Sequence, residues 1–326
     1  MADAINWGIL GAGKFAREQM GPAIHAAKGA RLAALATSSA DKAAPFKAFC
    51  PDLKVHDSYD ALLADPSVDA VYIPLPNHLH VEWSLKALAA GKHVLCEKPM
   101  AMAASEYDAL IEARDTSGLL ATEAYMIVHH PQWQRAKALY EEGAIGTLRH
   151  VEGLFAYNNA ADPGNVRNRA ETGGGGIPDI GVYTYGATRW LTGQEPDAIT
   201  HADVDFENGV DVMARVSARF PEFSAHWINS MRMNPCQTMT FIGDAGVLKL
   251  TAPFNPGVFA TARLELHKGM RVIEERFPGA NHYVLQVEAF SKHLRDGSPY
   301  PWHLEDARGT QALIDAVFAR ASAADG

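Results

Sequence analysis

Cysteine is scarce: Cys50, Cys96 and Cys236 are the only three in 326 residues, odd in number, far apart and in no Cys-x-x-Cys pairing. Neither a disulfide framework nor a structural zinc site is suggested, and a reducing compartment fits. Positive charge is also short. Only 29 Lys and Arg stand against 38 Asp and Glu, a formal net charge of −9, and the basic residues are scattered. This argues against a nucleic-acid partner held by phosphate contacts, and an anionic ligand would need a local positive pocket. No apolar run approaches the roughly 20 residues that span a bilayer. The opening Met1-Ala-Asp-Ala-Ile-Asn-Trp-Gly has neither a basic region nor an apolar core of the secretory kind. The expectation is a soluble, cytoplasmic protein with no membrane partner. Repeats, heptads and low-complexity tracts are missing too, and only the Ala-rich C-terminal tip reads as disordered.

What is present is apolar material: 48% of the residues are hydrophobic, enough for one large or two ordinary cores, with two domains the better expectation. Up to about Ala124, short apolar runs alternate with stretches of helical period, the pattern of a parallel sheet covered by crossover helices. Strands are expected at Ile5–Gly11, Arg31–Thr37, Ala70–Ile73, His93–Cys96 and Leu120–Ala124, and helices at Lys14–Ala27, Val81–Ala90 and Ser105–Ser117. Gly29, Gly91 and Gly118 sit where helices commonly end. After Ala124 come longer Val- and Phe-containing strands at Leu148–Asn158, Val210–Phe220, Ser224–Met231, Thr238–Gly243, Val247–Thr251, Arg263–Lys268 and Val272–Phe277. Helices at Pro131–Glu142, Asp179–Leu191, His282–Leu294 and Leu304–Ala321 accompany them. The fold class is therefore α/β: a doubly wound parallel Rossmann sheet over residues 1–124, then an α+β domain over 125–326 with a large, mostly antiparallel open sheet. The cleft between two such domains is the default place for a site.

The first strand ends in Gly11-Ala12-Gly13-Lys14-Phe15-Ala16, the G-x-G-x-x-A form of the dinucleotide turn, and a helical pattern follows at once. Gly11 would allow the tight turn, Gly13 would let the backbone approach a pyrophosphate, and Ala16 would let helix and sheet pack closely. The second strand bears on which dinucleotide is taken. An NAD site usually ends that strand with a carboxylate for the ribose 2′-hydroxyl. Here the tip reads Thr37-Ser38-Ser39, with Lys42 one turn into the next helix. Hydroxyls and an ammonium suit a 2′-phosphate, so NADP is expected ahead of NAD. Helix N-capping by these hydroxyls is the plain structural alternative and is compatible with cofactor binding.

Two further loops, Ile73-Pro74-Leu75-Pro76-Asn77-His78-Leu79-His80 and Cys96-Glu97-Lys98-Pro99, follow buried strands at the ends where ligands collect. Together with Gly11–Ala16, with Asn77 and His80, with the run Gly91 to Pro99, and with Gly174-Gly-Gly-Ile-Pro-Asp179-Ile-Gly-Val-Tyr183, they resemble the Gfo/Idh/MocA family of oxidoreductases over nearly the whole chain. Within it the chain is similar to the branch of NADP-dependent D-xylose dehydrogenases and dimeric dihydrodiol dehydrogenases. The matching segments are Glu123-Ala-Tyr-Met126, His130-Pro-Gln132, Asn165-Val-Arg167, Pro253-Phe-Asn-Pro256 and Gln286-Val-Glu-Ala-Phe290, with Tyr183 where many relatives carry histidine. Several NADP-using members place an arginine where Ser38 stands; the Thr37, Ser38 and Lys42 arrangement resembles instead the NADPH-dependent anhydrofructose reductases. The resemblance implies cofactor contacts from Gly11, Gly13, Lys14, Phe15, Ala16, Thr37, Ser38, Lys42, Leu75, Pro76, Asn77, His80, Glu97 and Lys98.

Oxidising an alcohol or hemiacetal removes a hydride from carbon and a proton from oxygen, so a base must touch that hydroxyl. A tyrosine with an ordinary pKa near ~10 becomes a base when an ammonium lies close. The resemblance assigns these parts to Tyr183 and Lys98, and in the reverse direction Tyr183 donates the proton while Lys98 steadies the alkoxide. Asp179, four residues before Tyr183, shares a helical face with it and can orient the pair or hold a sugar hydroxyl. Asn165 and Arg167 are expected at sugar hydroxyls, with Tyr157 as an apolar wall. His78, His80, His129 and His130 match no zinc spacing, and no metal is expected.

The leading expectation is a nicotinamide-dependent oxidoreductase on a sugar or similar polyol, first an aldose oxidised at its anomeric carbon. The reverse, NADPH-dependent reduction of a keto-sugar or dicarbonyl, stays open. So do an NAD-dependent glycosidase and a catalytically silent dinucleotide sensor, the latter opposed by the presence of both Lys98 and Tyr183. A homodimer or homotetramer through the second sheet is expected, partly as the family resemblance implies and partly because its strands carry more apolar residues than one packed face needs.

Overall fold

A computed structural model describes residues 4–323 in two compact units. Ala324, Asp325 and Gly326, the last residues of the tip expected to be disordered, lie outside the described residues.

The first unit comprises the chain to Ala101, Ser105–His129 and His282–Glu305. Its sheet is built from β1 (Ile5–Leu10), β2 (Ala30–Ala36), β3 (Lys54–His56), β4 (Ala70–Ile73), β5 (His93–Cys96) and β6 (Ala121–Glu123). All pairs are parallel and the spatial order is β3-β2-β1-β4-β5-β6. Continuous apolar strands make such a sheet because helices cover both faces: Ile9, Leu10, Val71, Ile73, Val94 and Leu95 are wholly buried. The order reverses between β1 and β4, the switch point beside which parallel sheets bind ligands. The short edge strand β3 was not anticipated, since three residues carry no period.

The first crossover departs from the expected single helix over Lys14–Ala27. It is a π turn at Ala16–Met20 followed by an α-helix at Gly21–Ala26. Pro22 has no N–H to continue an α ladder, and Gly21 N–H instead reaches back five residues to Ala16 O. The glycine is required: a Cβ there would lie 2.7 Å from that same oxygen. The late helix His282–Asp296 completes this unit, with Trp7 Nε1 donating to Ser291 Oγ at 3.1 Å and the Trp7 and Phe290 rings 4.8 Å apart.

The second unit comprises Met102–Ala104, His130–Asn281 and the chain from Asp306. Its strands are β7 (Leu148–Asn158), β8 (Ala198–Glu207), β9 (Val210–Arg219), β10 (Ser224–Ser230), β11 (Arg232–Gly243), β12 (Val247–Thr251), β13 (Arg263–Lys268) and β14 (Arg271–Arg276). They form one eight-stranded sheet in the order β14-β13-β12-β11-β7-β10-β9-β8, antiparallel except where β7 meets β10. Alternation along β9 and β10 buries one face. Helix Val182–Thr192 lies close on it: a Cβ at Gly153 would come within 3.3 Å of Thr184, and Trp227 Nε1 donates to Thr188 Oγ1 at 3.1 Å. The unforeseen strand β8 carries Asp203, Asp205 and Glu207, charges that suit an edge and mask a strand period. Among the described residues, no helix is long and apolar enough to cross a membrane, and no group of three or more His, Cys, Asp or Glu residues is arranged for a metal ion.

Candidate active site

In the first unit, a cavity of about 500 Å³ opens at the carboxyl ends of β1, β2 and β4. Its lining brings together Gly11, Gly13, Thr37, Ser38, Lys42, Leu75 and Pro76 from the expected cofactor set. Gly11 has φ of +107°, a backbone that side-chain-bearing residues rarely adopt. Gly13 faces open space, with nothing within 4 Å of where a Cβ would stand. Ala16 is fully buried under the turn. This is a cradle that admits a pyrophosphate close to the backbone, so the residues present fit a dinucleotide.

At the tip of β2 the capping residue is Ser39, whose hydroxyl accepts from Lys42 N–H at 3.3 Å and whose own N–H donates to Thr37 Oγ1 at 3.3 Å. Ser38 is left to the cavity, as is the Lys42 side chain. Asp57, Ser58, Tyr59, Asp60 and Trp83 also line it and were not foreseen. Asp57 and Asp60 follow β3, and Tyr59 meets Trp83 edge to face at 4.9 Å, an aromatic wall beside the turn. The signal for 57–60 lay in the unrecognised strand β3, which they follow, whereas Trp83 comes from the helix after β4.

The other expected cofactor residues line no part of this cavity. Lys14 is exposed, and the Phe15 ring meets Tyr283 edge-on at 5.4 Å. Asn77 opens a short 3-10 turn at Asn77–Leu79. Glu97 Oε1 accepts from Tyr72 Oη at 2.6 Å, and the Lys98–Pro99 peptide bond is cis. His80 has a specific structural part. Its Nδ1 faces Pro99 O at 2.8 Å and its Nε2 faces Leu75 O at 2.7 Å, so it is a strut between the two loops. Complete burial holds its pKa down to about 4. The two carbonyls oppose that fall, since each favours a ring N–H facing it.

One residue that matters here was given no role by the sequence reading. Glu123, 1% exposed at the end of β6, accepts at Oε2 from Met100 N–H at 2.9 Å and from Tyr107 Oη at 3.1 Å. It thus holds the backbone two residues after Lys98. Burial raises its pKa to about 7 against the lowering effect of those donors. The available signal was an acid closing an otherwise apolar strand, in register with Cys96 immediately before Glu97.

In the second unit the glycine run leads into a π turn, Ile177–Gly181, and then the helix Val182–Thr192 that carries Tyr183. The single helix expected from Asp179 is therefore two segments, a consequence of Pro178 at the start and of Gly181 under the Tyr185 ring, 3.1 Å from a Cβ there. The Tyr183 ring, 6% exposed, packs against Phe155 at 5.8 Å and Phe254 at 5.7 Å. Phe254 comes from the Pro253–Pro256 loop, anchored where Trp133 Nε1 donates to Pro253 O at 2.7 Å.

Asp179 is the centre of a polar cluster. Its Oδ2 accepts from Tyr157 Oη at 2.6 Å and pairs with Arg167 Nε at 2.8 Å. Tyr157 is therefore more than the apolar wall expected of it. Burial and the adjacent carboxylate push its phenol far above the ordinary range, which keeps it a donor. Asn165 turns its amide to the loop: Oδ1 accepts from Arg167 N–H and Nδ2 donates to Asp162, both at 3.1 Å. It fixes the backbone from which Arg167 reaches Asp179. Tyr157, Arg167 and Asp179 are thus brought together around one carboxylate oxygen, with Tyr183 one turn beyond.

Comparison with known proteins agrees with both halves. Residues 5–125 match the model of an oxidoreductase family with an NAD-binding Rossmann fold, and residues 133–249 match the GFO/IDH/MocA C-terminal domain. An uncharacterised oxidoreductase of Rhizobium meliloti is 36% identical over 97% of this chain and 96% of its own length. The D-xylose 1-dehydrogenase (NADP(+)) 2 of Haloferax volcanii is 31% identical over 96% of both chains. Among solved structures, a 3-ketoreductase from Actinomadura kijaniata in complex with NADP and TDP-benzene superimposes with a TM-score of 0.89, at 29% identity and over 98% of both chains. With a dinucleotide cradle in its first unit and the family's C-terminal domain in its second, this chain is an oxidoreductase of the Gfo/Idh/MocA family.

Proposed function

We propose that the protein is an NADP-dependent dehydrogenase of a sugar or similar polyol, oxidising an aldose at its anomeric carbon. The observation that carries this reading is the cavity in which Gly11 and Gly13 stand together with the Ser38 hydroxyl and Lys42. Ser38 and Lys42 would hold the 2′-phosphate and Gly13 the pyrophosphate. When bound, the nicotinamide supplies the hydride acceptor or donor.

The chain's own residues handle the proton. Tyr183 takes it from the substrate hydroxyl, the part the family resemblance gives it, and the same resemblance names Lys98 as the ammonium such a base requires. Asp179, ionised beside Arg167, receives a hydrogen bond from a second substrate hydroxyl and so fixes which carbon is presented. A substrate of this kind is supported by the full-length likeness to the D-xylose dehydrogenase. The likeness to the 3-ketoreductase favours a second reading, reduction of a keto-sugar, in which Tyr183 gives the proton and Lys98 steadies the developing alkoxide. The protein is read as cytoplasmic, and as a homodimer or homotetramer through the second sheet, supported by exposed Phe206 on β8 and Val272 and Ile273 on β14.

The deciding assay follows absorbance at the reduced-nicotinamide band. Purified protein receives NADP or NAD with a panel of aldoses led by D-xylose, and NADPH with keto-sugars, with Lys98→Met as control. Reduction of NADP that is abolished in the variant is expected. Turnover only with ketones assigns the reverse direction, and turnover unaffected by Lys98→Met overturns the proton chemistry.

A further inference from the structure

The glycine run before Tyr183 has a specific occupant. Asp211, on β9 and 2% exposed, places its carboxylate where side chains of the run would otherwise stand. A Cβ on Gly175 would come 2.2 Å from Asp211 Oδ1, and one on Gly176 would come 3.2 Å from Oδ2. Gly175 also has φ of +131°, so the position is reserved for glycine twice over. Oδ2 accepts from Ile177 N–H at 2.6 Å, the first residue of the π turn. From there the backbone runs directly into Asp179, whose N–H donates to Gly175 O at 3.2 Å. A buried carboxylate in the middle of Val210-Asp211-Val212 is costly to desolvate and has no part in the proton chemistry described above.

We propose that Asp211 is a positioning residue, which sets where Asp179 and Tyr183 stand by holding the backbone from Gly175 to Ile177. This rests on the reading of Asp179 and Tyr183 as the groups that meet substrate. The charge on Asp211 is what makes it a strong acceptor for Ile177 N–H, since an ionised carboxylate binds a donor more tightly than a neutral acid does. Burial, with Asp179 nearby, raises its pKa to about 7. The titratable groups that bear on it are Asp179 from the π turn and Tyr185 from the following helix. Arg167 and Arg232 are engaged by other groups, Arg167 by Asp179 and Arg232 by Glu207 and Asn159. Protonation of Asp211 would weaken the hold on Ile177, so turnover should fall as pH drops through 7.

The test compares wild type with Asp211→Asn, and with Asp211→Ser should the amide not fold. Each is measured for kcat and KM from pH 6 to 9 with the sugar that turns over in the assay above, for NADP affinity, for thermal midpoint and by crystallography. The expected result is a kcat at least about tenfold lower at pH 8 with NADP affinity within twofold, since the hydride path survives and only the proton groups shift. Wild-type kcat should fall on the acid side with an apparent pKa near 7, and the variants should be flat across that range. In the crystal, the Asp179 carboxylate should be displaced while the sheet is not. A folded variant with wild-type kcat, wild-type pH profile and Asp179 unmoved overturns the proposal. Tyr183→Phe is run alongside: full turnover in that variant would sink the reading of Tyr183, and the displacement of Asp179 would still decide what Asp211 does. A loss confined to thermal midpoint, equal at every pH, would make Asp211 a stability residue and overturn the positioning role.

Discussion

Tyr157 and Asp179 are joined by one short hydrogen bond, phenol to carboxylate Oδ2 at 2.6 Å, on the oxygen that Arg167 also reaches. Tyr157→Phe removes that donor and leaves the ring. Hydrogen bonds to charged groups contribute about 1.5–3 kcal/mol, so kcat/KM for the sugar should fall about ten- to hundredfold. Steady-state kinetics at saturating NADP measure it, and a change under twofold would remove Asp179 from the substrate's surroundings.

Ser38→Asp should reverse the cofactor preference. Ser38 stands at the tip of β2 within the same cavity as Lys42 and Gly13, and a carboxylate there opposes a 2′-phosphate while serving a ribose hydroxyl. The expected outcome is a kcat/KM for NADP at least about tenfold lower with NAD use retained or improved. Better NADP use in the variant would place the 2′-phosphate elsewhere.

Gly13→Ala and Gly174→Ala should part folding from binding. A Cβ at Gly13 meets nothing within 4 Å, so the variant should melt with wild type yet lose dinucleotide affinity, because the methyl stands where the pyrophosphate approaches. A Cβ at Gly174 would lie 2.5–2.7 Å from the carbonyl oxygens of Arg167, Arg169 and Val166, backbone atoms that cannot step aside. That variant should lose about 2 kcal/mol or more of stability. Calorimetry and NADP titration of the two proteins suffice.

Glu123→Gln should show a gain that depends on pH. Burial raises the folded-state pKa of Glu123 to about 7 from an ordinary 4.5. Between these values the folded protein holds a proton that the unfolded chain has released, so this group's contribution falls as pH rises and is lowest above 7. Gln keeps an acceptor for Met100 N–H and does not titrate. Relative to wild type, the variant should therefore become more stable between pH 5 and pH 8, by up to about 3 kcal/mol. Denaturant unfolding at the two pH values checks the sign; an advantage that shrinks with rising pH would show that Glu123 is ionised in the fold at low pH.

The parts of the molecule written in period or in glycine were legible without coordinates. Continuous apolar runs located the central parallel strands, and Gly29, Gly91 and Gly118 all have the positive φ of helix ends. What hid was whatever depends on partners far along the chain. The edge strands β3 and β8 need little apolar character, so neither carries a period. The helix His282–Asp296 is plain in the sequence, yet nothing local says that Phe290 lies on Trp7. Tyr157 reads as an apolar wall until its phenol is seen on Asp179, and His80 reads as a cofactor neighbour until both ring nitrogens are found against carbonyls. Glu123 and Asp211 were visible only as acids interrupting apolar strands, a pattern with a meaning that comes from the backbone N–H each one holds.

The union of the first strands with His282–Glu305 bears on how the protein is made. Ser291 closes on Trp7, and Arg295 donates to Gly29 O at 2.8 Å, across 266 positions of sequence. At a synthesis rate of roughly 5–20 residues per second, β1 waits roughly 15–60 s for the helix that covers it. The second unit is likewise closed by late chain, Gln311 donating to Met102 O at 3.1 Å and Asp315 accepting from Ala104 N–H at 2.8 Å. A nascent chain stalled before residue 282 therefore exposes the flank of its nucleotide-binding sheet, a surface that stays open until the closing helix has been made.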